Sequence, residues 1–118
     1  MAVSTIPYLF AQGNGTGTIN TSYATESSQA WVRKGNIVFV PLGLHLKNIG
    51  TFATVNIGSN FPPSVGNDYC LSYACKNDAP VYALFRVDSS GVLSIQTRGT
   101  SFGSTAETIT GCLMYVTQ

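Results

Sequence analysis

Apolar and polar residues alternate with a period of two along most of this chain, and no stretch sustains the spacing of an amphipathic helix. The clearest run is NIVFVPLGLHLK, residues 36–47. Val38, Val40, Leu42, Leu44 and Leu46 fall on one face; Ile37, Phe39, Pro41, Gly43, His45 and Lys47 fall on the other. The first half is apolar on both sides and the second half is amphipathic. One end of this strand is therefore expected to be buried twice, in its own core and against something else. Pro41 removes a ladder donor and predicts an edge position or a bulge. Residues 108–117 repeat the pattern, with Ile109, Leu113 and Tyr115 alternating with Cys112, Met114 and Val116.

Further strands are predicted at 16–20, 29–34, 52–58, 69–76, 81–87 and 92–98. Turn sequences separate them: Lys34-Gly35-Asn36, Asn48-Ile49-Gly50, Phe61-Pro62-Pro63-Ser64, Val65-Gly66-Asn67-Asp68 and Asp78-Ala79-Pro80. Asp88-Ser89-Ser90-Gly91 predicts a tight hairpin in which Gly91 takes the left-handed position and the aspartate accepts backbone hydrogen bonds. Short strands at this spacing imply an all-β chain, an antiparallel β-sandwich or jelly roll. Residues 1–15 read as a flexible leader or neck and residues 16–118 as the β-domain. There is no internal repeat.

A length of 118 residues suits one domain with one core. Charged residues make up only 9% of it, against about 25% in ordinary soluble domains. So sparse a charge implies that part of the surface is covered in an oligomer. The net charge of +1 comes without a basic cluster, which argues against nucleic acid as a partner. No apolar run is long enough to insert into a membrane as a helix, and the first residues, MAVSTIPYLF, lack the pattern of a signal peptide.

Cys70, Cys75 and Cys112 are odd in number, and Cys70 and Cys75 are badly aimed for a bridge within one strand; the expectation is buried free thiols formed in a reducing cytosol. Cys-x4-Cys with one distant histidine, His45, does not make a metal site, and no cofactor motif is legible. Gly13-Asn14-Gly15-Thr16-Gly17 lacks the flanking strand, helix and lysine of a phosphate loop. The carboxylates Glu26, Asp68, Asp78, Asp88 and Glu107 lie at least ten residues apart, and a catalytic triad would have to be built on His45 alone. The chain therefore reads as a non-enzyme.

Binding fits better. A saccharide site needs an aromatic platform and planar polar groups. The candidates are Trp31, which also suits a core or an interface; His45; the junction Asn67, Asp68, Tyr69; and Asn77 and Asp78 with Tyr82. For each loop cluster ordinary turn chemistry is the stronger reading, as a core or interface place is for Trp31.

The segments WVRKGNIVFVPLGLHLKN, ATVNIGSNFPPS, VYALFRVDSSGVLSIQTRG and the closing TITGCLMYVTQ together resemble the C-terminal head domains of bacteriophage tail fibres and baseplate receptor-binding proteins. The likeness spans about residues 16–118 and rests on turn-and-strand signatures. It implies a β-sandwich or jelly-roll head that forms a homotrimer, sits on the virion at the tail tip or baseplate beside other tail proteins, and binds a host cell-wall or surface polysaccharide near subunit clefts. Ile37, Phe39, Met114 and Val116 would then line the trimer interface. A tail or baseplate subunit that binds no sugar is the alternative, and a small polysaccharide-cleaving enzyme ranks last.

Overall fold

The computed structural model describes residues 12–67, 70–71 and 74–118. Ten strands run in chain order: β1 Gln12–Ile19, β2 Ser28–Lys34, β3 Ile37–Leu46, β4 Thr54–Ser59, β5 Cys70–Leu71, β6 Ala74–Lys76, β7 Ala79–Val81, β8 Ala83–Val87, β9 Leu93–Thr97 and β10 Glu107–Val116. No helix occurs among the described residues. All neighbouring strands are antiparallel, in the order β5-β8-β9-β4-β1-β2-β3-β10-β6-β7. The sheet folds over into a nearly closed, sandwich-like body, so that its inner face encloses one core.

The alternation in β3 appears as expected: Val38, Val40, Leu42, Leu44 and Leu46 are buried, and Phe39, Pro41, Gly43 and His45 are exposed. Ile109, Leu113 and Tyr115 of β10 face the same core, as do Phe85 and Val87 of β8 and Leu93 and Ile95 of β9. Pro41 sits neither on an edge strand nor at a bulge: β3 lies between β2 and β10, and its ladder with β10 runs through Pro41↔Cys112 without a shift. The β2–β3 ladder stops at Val32↔Phe39, and beyond it the buried Gln29 side chain bridges the two strands. Its Nε2 donates to the Pro41 carbonyl at 2.8 Å, and its Oε1 accepts from the Gly43 N–H at 3.3 Å. One side-chain amide thus supplies the bonds that a proline-interrupted ladder cannot make.

Three stretches differ from the sequence expectation. The stretch expected as one strand over 69–76 carries two, β5 paired with β8 and β6 paired with β10. β1 begins at Gln12, inside the segment read as a leader, because the β2 backbone pairs with it from Gln12↔Lys34 to Thr18↔Ser28 whatever its side chains. Residues 77–81, read as turn and start of a longer strand, form a tight turn followed by β7; Asn77 and Asp78 both take left-handed φ, 50° and 67°, which closes a two-residue hairpin between β6 and β7. The Asp88 turn forms as predicted: Gly91 has φ 78°, and Asp88 Oδ1 accepts from the N–H groups of Ser90 and Val92 at 2.8 and 3.0 Å.

The Phe61-Pro62-Pro63-Ser64 segment ties the two halves of the body together. The Phe61 ring lies against Gly17 of β1 and Gly58 of β4, and its carbonyl lies against Gly91 of the β8–β9 turn. Its N–H donates to the Gly91 carbonyl at 3.1 Å. The next residues cross to β10, where the Tyr115 hydroxyl donates to the Pro62 carbonyl at 2.7 Å and the Thr117 hydroxyl donates to that of Pro63. Burial pushes the Tyr115 phenol well above its ordinary pKa, so it remains a donor across the usual pH range.

A methyl group on Gly17 would overlap the Phe61 ring, whereas one on Gly43 meets no atom within 4 Å. Gly17→Ala is therefore expected to cost about 1–3 kcal/mol through overpacking, and Gly43→Ala to leave stability within about 0.5 kcal/mol of the parent. Chemical denaturation of both variants checks this, and equal stabilities would contradict the role given to Phe61.

Candidate functional site

Three adjacent strands, β2, β3 and β10, turn an apolar face to solvent. Their register sets side chains in rows: Val32, Phe39 and Met114 in one; Ile37 and Val116, beside Lys34, in the next; Pro41 and Cys112 in a third. Val32 and Phe39 are each 39% exposed, Met114 56% and Val116 45%. Single exposed apolar residues are ordinary, but a block continuous over three strands is a surface that favours a partner. The four residues expected to share an interface thus lie together. Val32 and Cys112 complete the face: Cys112 follows from the alternation of β10, whereas Val32 was not legible as a member, because it joins only through the β2–β3 register. Cys112 is exposed and Cys75 half-buried, which corrects the expectation of buried thiols; the even-numbered positions of β10 point away from the core.

A groove of about 280 Å³ borders this face, with Ser64, Val65, Gly66, Arg86, Met114 and Val116 in its lining. The Arg86 Nη1 donates to the Asn67 carbonyl at 3.2 Å. The groove is open, partly apolar and edged by backbone and hydroxyl groups, the mixture a sugar ring accepts.

The other predicted residues are spread over the molecule. Trp31 points inward from β2 and packs against the core with the Gly15 backbone across its ring. Its indole N–H is buried without an acceptor. His45 is exposed at the far end of β3, where Glu26 holds it twice: one carboxylate oxygen contacts Nδ1 and the other accepts the His45 backbone N–H at 2.9 Å. Asn67 Oδ1 accepts the Ser89 N–H at 3.1 Å and so fastens its loop to the Asp88 turn. Asn77 clips the β6–β7 hairpin to β10. Its Nδ2 donates to Glu107 Oε2 at 3.0 Å, and its Oδ1 accepts the Thr108 N–H at 3.2 Å. Asp78 is exposed in the same turn, and Tyr82 is 57% exposed between β7 and β8. Asp68 and Tyr69 lie outside the described residues. Asn67, Asn77 and His45 are thus engaged in holding the scaffold, and they do not converge with Trp31 on one pocket.

Lys76 and Glu107 form a second ion pair at 3.3 Å, with the ammonium 5.2 Å from the Phe102 ring centre. Among the described residues no group of three or more His, Cys, Asp or Glu is placed to hold a metal ion. No family model, curated protein or solved structure matches the chain.

Burial raises the Glu26 carboxyl, but the hydrogen bonds and charge of His45 outweigh it and hold it below the ordinary value. At Glu107, desolvation is likewise outweighed, by Lys76, the Gly103 N–H and Asn77. A carboxylate whose folded pKa is depressed contributes stability above its unfolded pKa and loses it as pH falls through the folded one. The domain is therefore expected to lose stability as pH drops through and below the ordinary glutamate range. Glu26→Gln with Glu107→Gln should flatten that acid limb in pH-dependent thermal melts, and an unchanged limb would show that neither carboxylate contributes.

Proposed function

We propose that this chain is a non-enzymatic, jelly-roll-like head of a bacteriophage tail fibre or baseplate. In this reading it assembles as a homotrimer and binds a host cell-surface saccharide during adsorption. The observation that carries the reading is the exposed apolar face built from Val32, Ile37, Phe39, Met114 and Val116. In a chain with 9% charged residues, such a face is best satisfied by copies of itself around a symmetry axis. The groove beside Met114 and Val116 would then lie at the seam between subunits, where a ligand touches two copies. Weak binding at each seam would be multiplied over the many heads of one particle. The virion tail, beside other tail and baseplate proteins, is the place this reading gives the head.

One observation favours a head that binds no sugar: His45, Asn67 and Asn77, the polar groups first suited to a ligand, are tied to Glu26, Ser89 and Thr108. Such a subunit would still use the apolar face for assembly.

Light scattering at micromolar concentration is expected to give three times the chain mass, and Phe39→Asp with Met114→Asp to give one chain mass with the β-fold retained by circular dichroism. A monomeric parent would contradict the assembly. Purified head is expected to bind host cell-wall polysaccharide and to block phage adsorption; a trimer that does neither would leave the structural subunit as the correct reading.

A further inference from the structure

Away from the apolar face, the outer surface of β4, β9 and β8 ends in an unusual group of side chains. Phe52 is 80% exposed, the most exposed of the large apolar residues described. It sits in a turn pinned on both sides. The buried Thr97 hydroxyl donates to the Gly50 carbonyl at 2.6 Å and accepts the Ala53 N–H at 2.8 Å. The Gly99 N–H donates to the Thr51 carbonyl at 3.0 Å. These bonds continue the β4–β9 register past Thr54↔Gln96, so Phe52 stands opposite Arg98. On the other side of β9, Ala83 pairs with Thr97, which places Tyr82, 57% exposed, one residue further toward the same end. Two strand spacings, about 10 Å, separate the two outer strands, so Arg98 lies on the strand between two exposed aromatic residues.

Arg98 is held in place without being neutralised. Its Nε and Nη2 donate to Gln96 Oε1 at 3.0 and 2.6 Å, and Gln96 Nε2 donates to Thr54 Oγ1 at 3.2 Å. Among the described residues the ion pairs are His45 with Glu26 and Lys76 with Glu107, which leaves Arg98 with no carboxylate. An exposed phenylalanine alone would be unremarkable. Its combination with Tyr82 and an oriented, uncompensated guanidinium matches a ligand that has both an apolar ring face and a negative charge.

We propose that Phe52, Tyr82 and Arg98, supported by Gln96 and Thr54, bind an anionic saccharide: the sugar faces lie against the two aromatic rings and a carboxylate or phosphate pairs with Arg98. This rests on the saccharide reading above and adds to it a second site and a charge. It is distinct from the groove beside Met114, and neither Phe52 nor Arg98 carries a sequence signal, since their meeting depends on the β4–β9 register.

Calorimetric titration of the intact chain with three probes tests the proposal: an oligosaccharide of glucuronic acid, a glycerol-phosphate polymer substituted with sugar, and a neutral glucan. At least one anionic probe is expected to bind about tenfold more tightly than the glucan, and which one binds identifies a carboxylate or a phosphate as the recognised group. Arg98→Gln is expected to weaken that binding about tenfold or more, in line with the strength of charge-assisted hydrogen bonds. Phe52→Ala and Tyr82→Ala are each expected to weaken it severalfold, with all three variants melting as the parent does. If the parent binds a probe and the variants bind it equally well, this site is wrong while saccharide binding stands. Preference for the neutral glucan overturns the charge assignment. If the parent binds no probe and no host polysaccharide, the saccharide reading fails and this site with it.

Discussion

The body closes around the side chain of Phe61. A ring of that size fits between β1 and β4 only because Gly17 and Gly58 carry no side chain there, and the β8–β9 turn reaches its backbone only because Gly91 adopts a left-handed φ of 78°. From that seat the chain runs through Pro62 and Pro63 to the end of β10, where Tyr115 and Thr117 take up the proline carbonyls. Ser64 then donates to the Asp88 carbonyl and Val65 to that of Val116, both at 3.0 Å. Strands remote in sequence are thereby fixed relative to one another. The apolar face ends at Val116, whose carbonyl accepts from this clasp.

The same economy of backbone bonding explains how the outer faces are left open for other uses. Pro41 interrupts the β2–β3 ladder, yet the Gln29 amide satisfies the groups exposed by the break, and the Thr25 N–H resumes the pairing at the His45 carbonyl at 3.1 Å. Thr97 performs a comparable task for the β3–β4 turn. With the backbone satisfied internally, the apolar side chains facing outward from β3 and β10 are free of structural duty and open to contact with another molecule.

The strands with an apolar inner face were legible because a period of two needs no knowledge of partners. β3 and β10 are the clearest cases, and the outward set Ile37, Phe39, Met114 and Val116 follows from the same alternation. β1 was only partly legible: Gln12–Gly15 has no apolar alternation, and its strand state is imposed by β2. β7 is three residues long, contains Pro80 and lies at a sheet edge, where composition says little. The polar candidates were the least legible. Asn67, Asn77 and His45 have the chemistry of ligand contacts, but Ser89, Thr108 and Glu26 engage them from across the fold, and such long-range bonds leave no local pattern. Phe52 and Arg98 were missed for the converse reason, since each is unexceptional until register sets them side by side.

Cys112 is a built-in probe of whether further copies of the chain cover the β2–β3–β10 face, as proposed above. The thiol is exposed on the isolated fold, in the row next to Phe39 and Met114. Peptide-mapped maleimide labelling of native protein at micromolar concentration is the direct measurement. Cys112 is expected to be protected in the parent and to react readily once Phe39→Asp breaks the assembly. Full, rapid labelling of Cys112 in the parent at that concentration would contradict it.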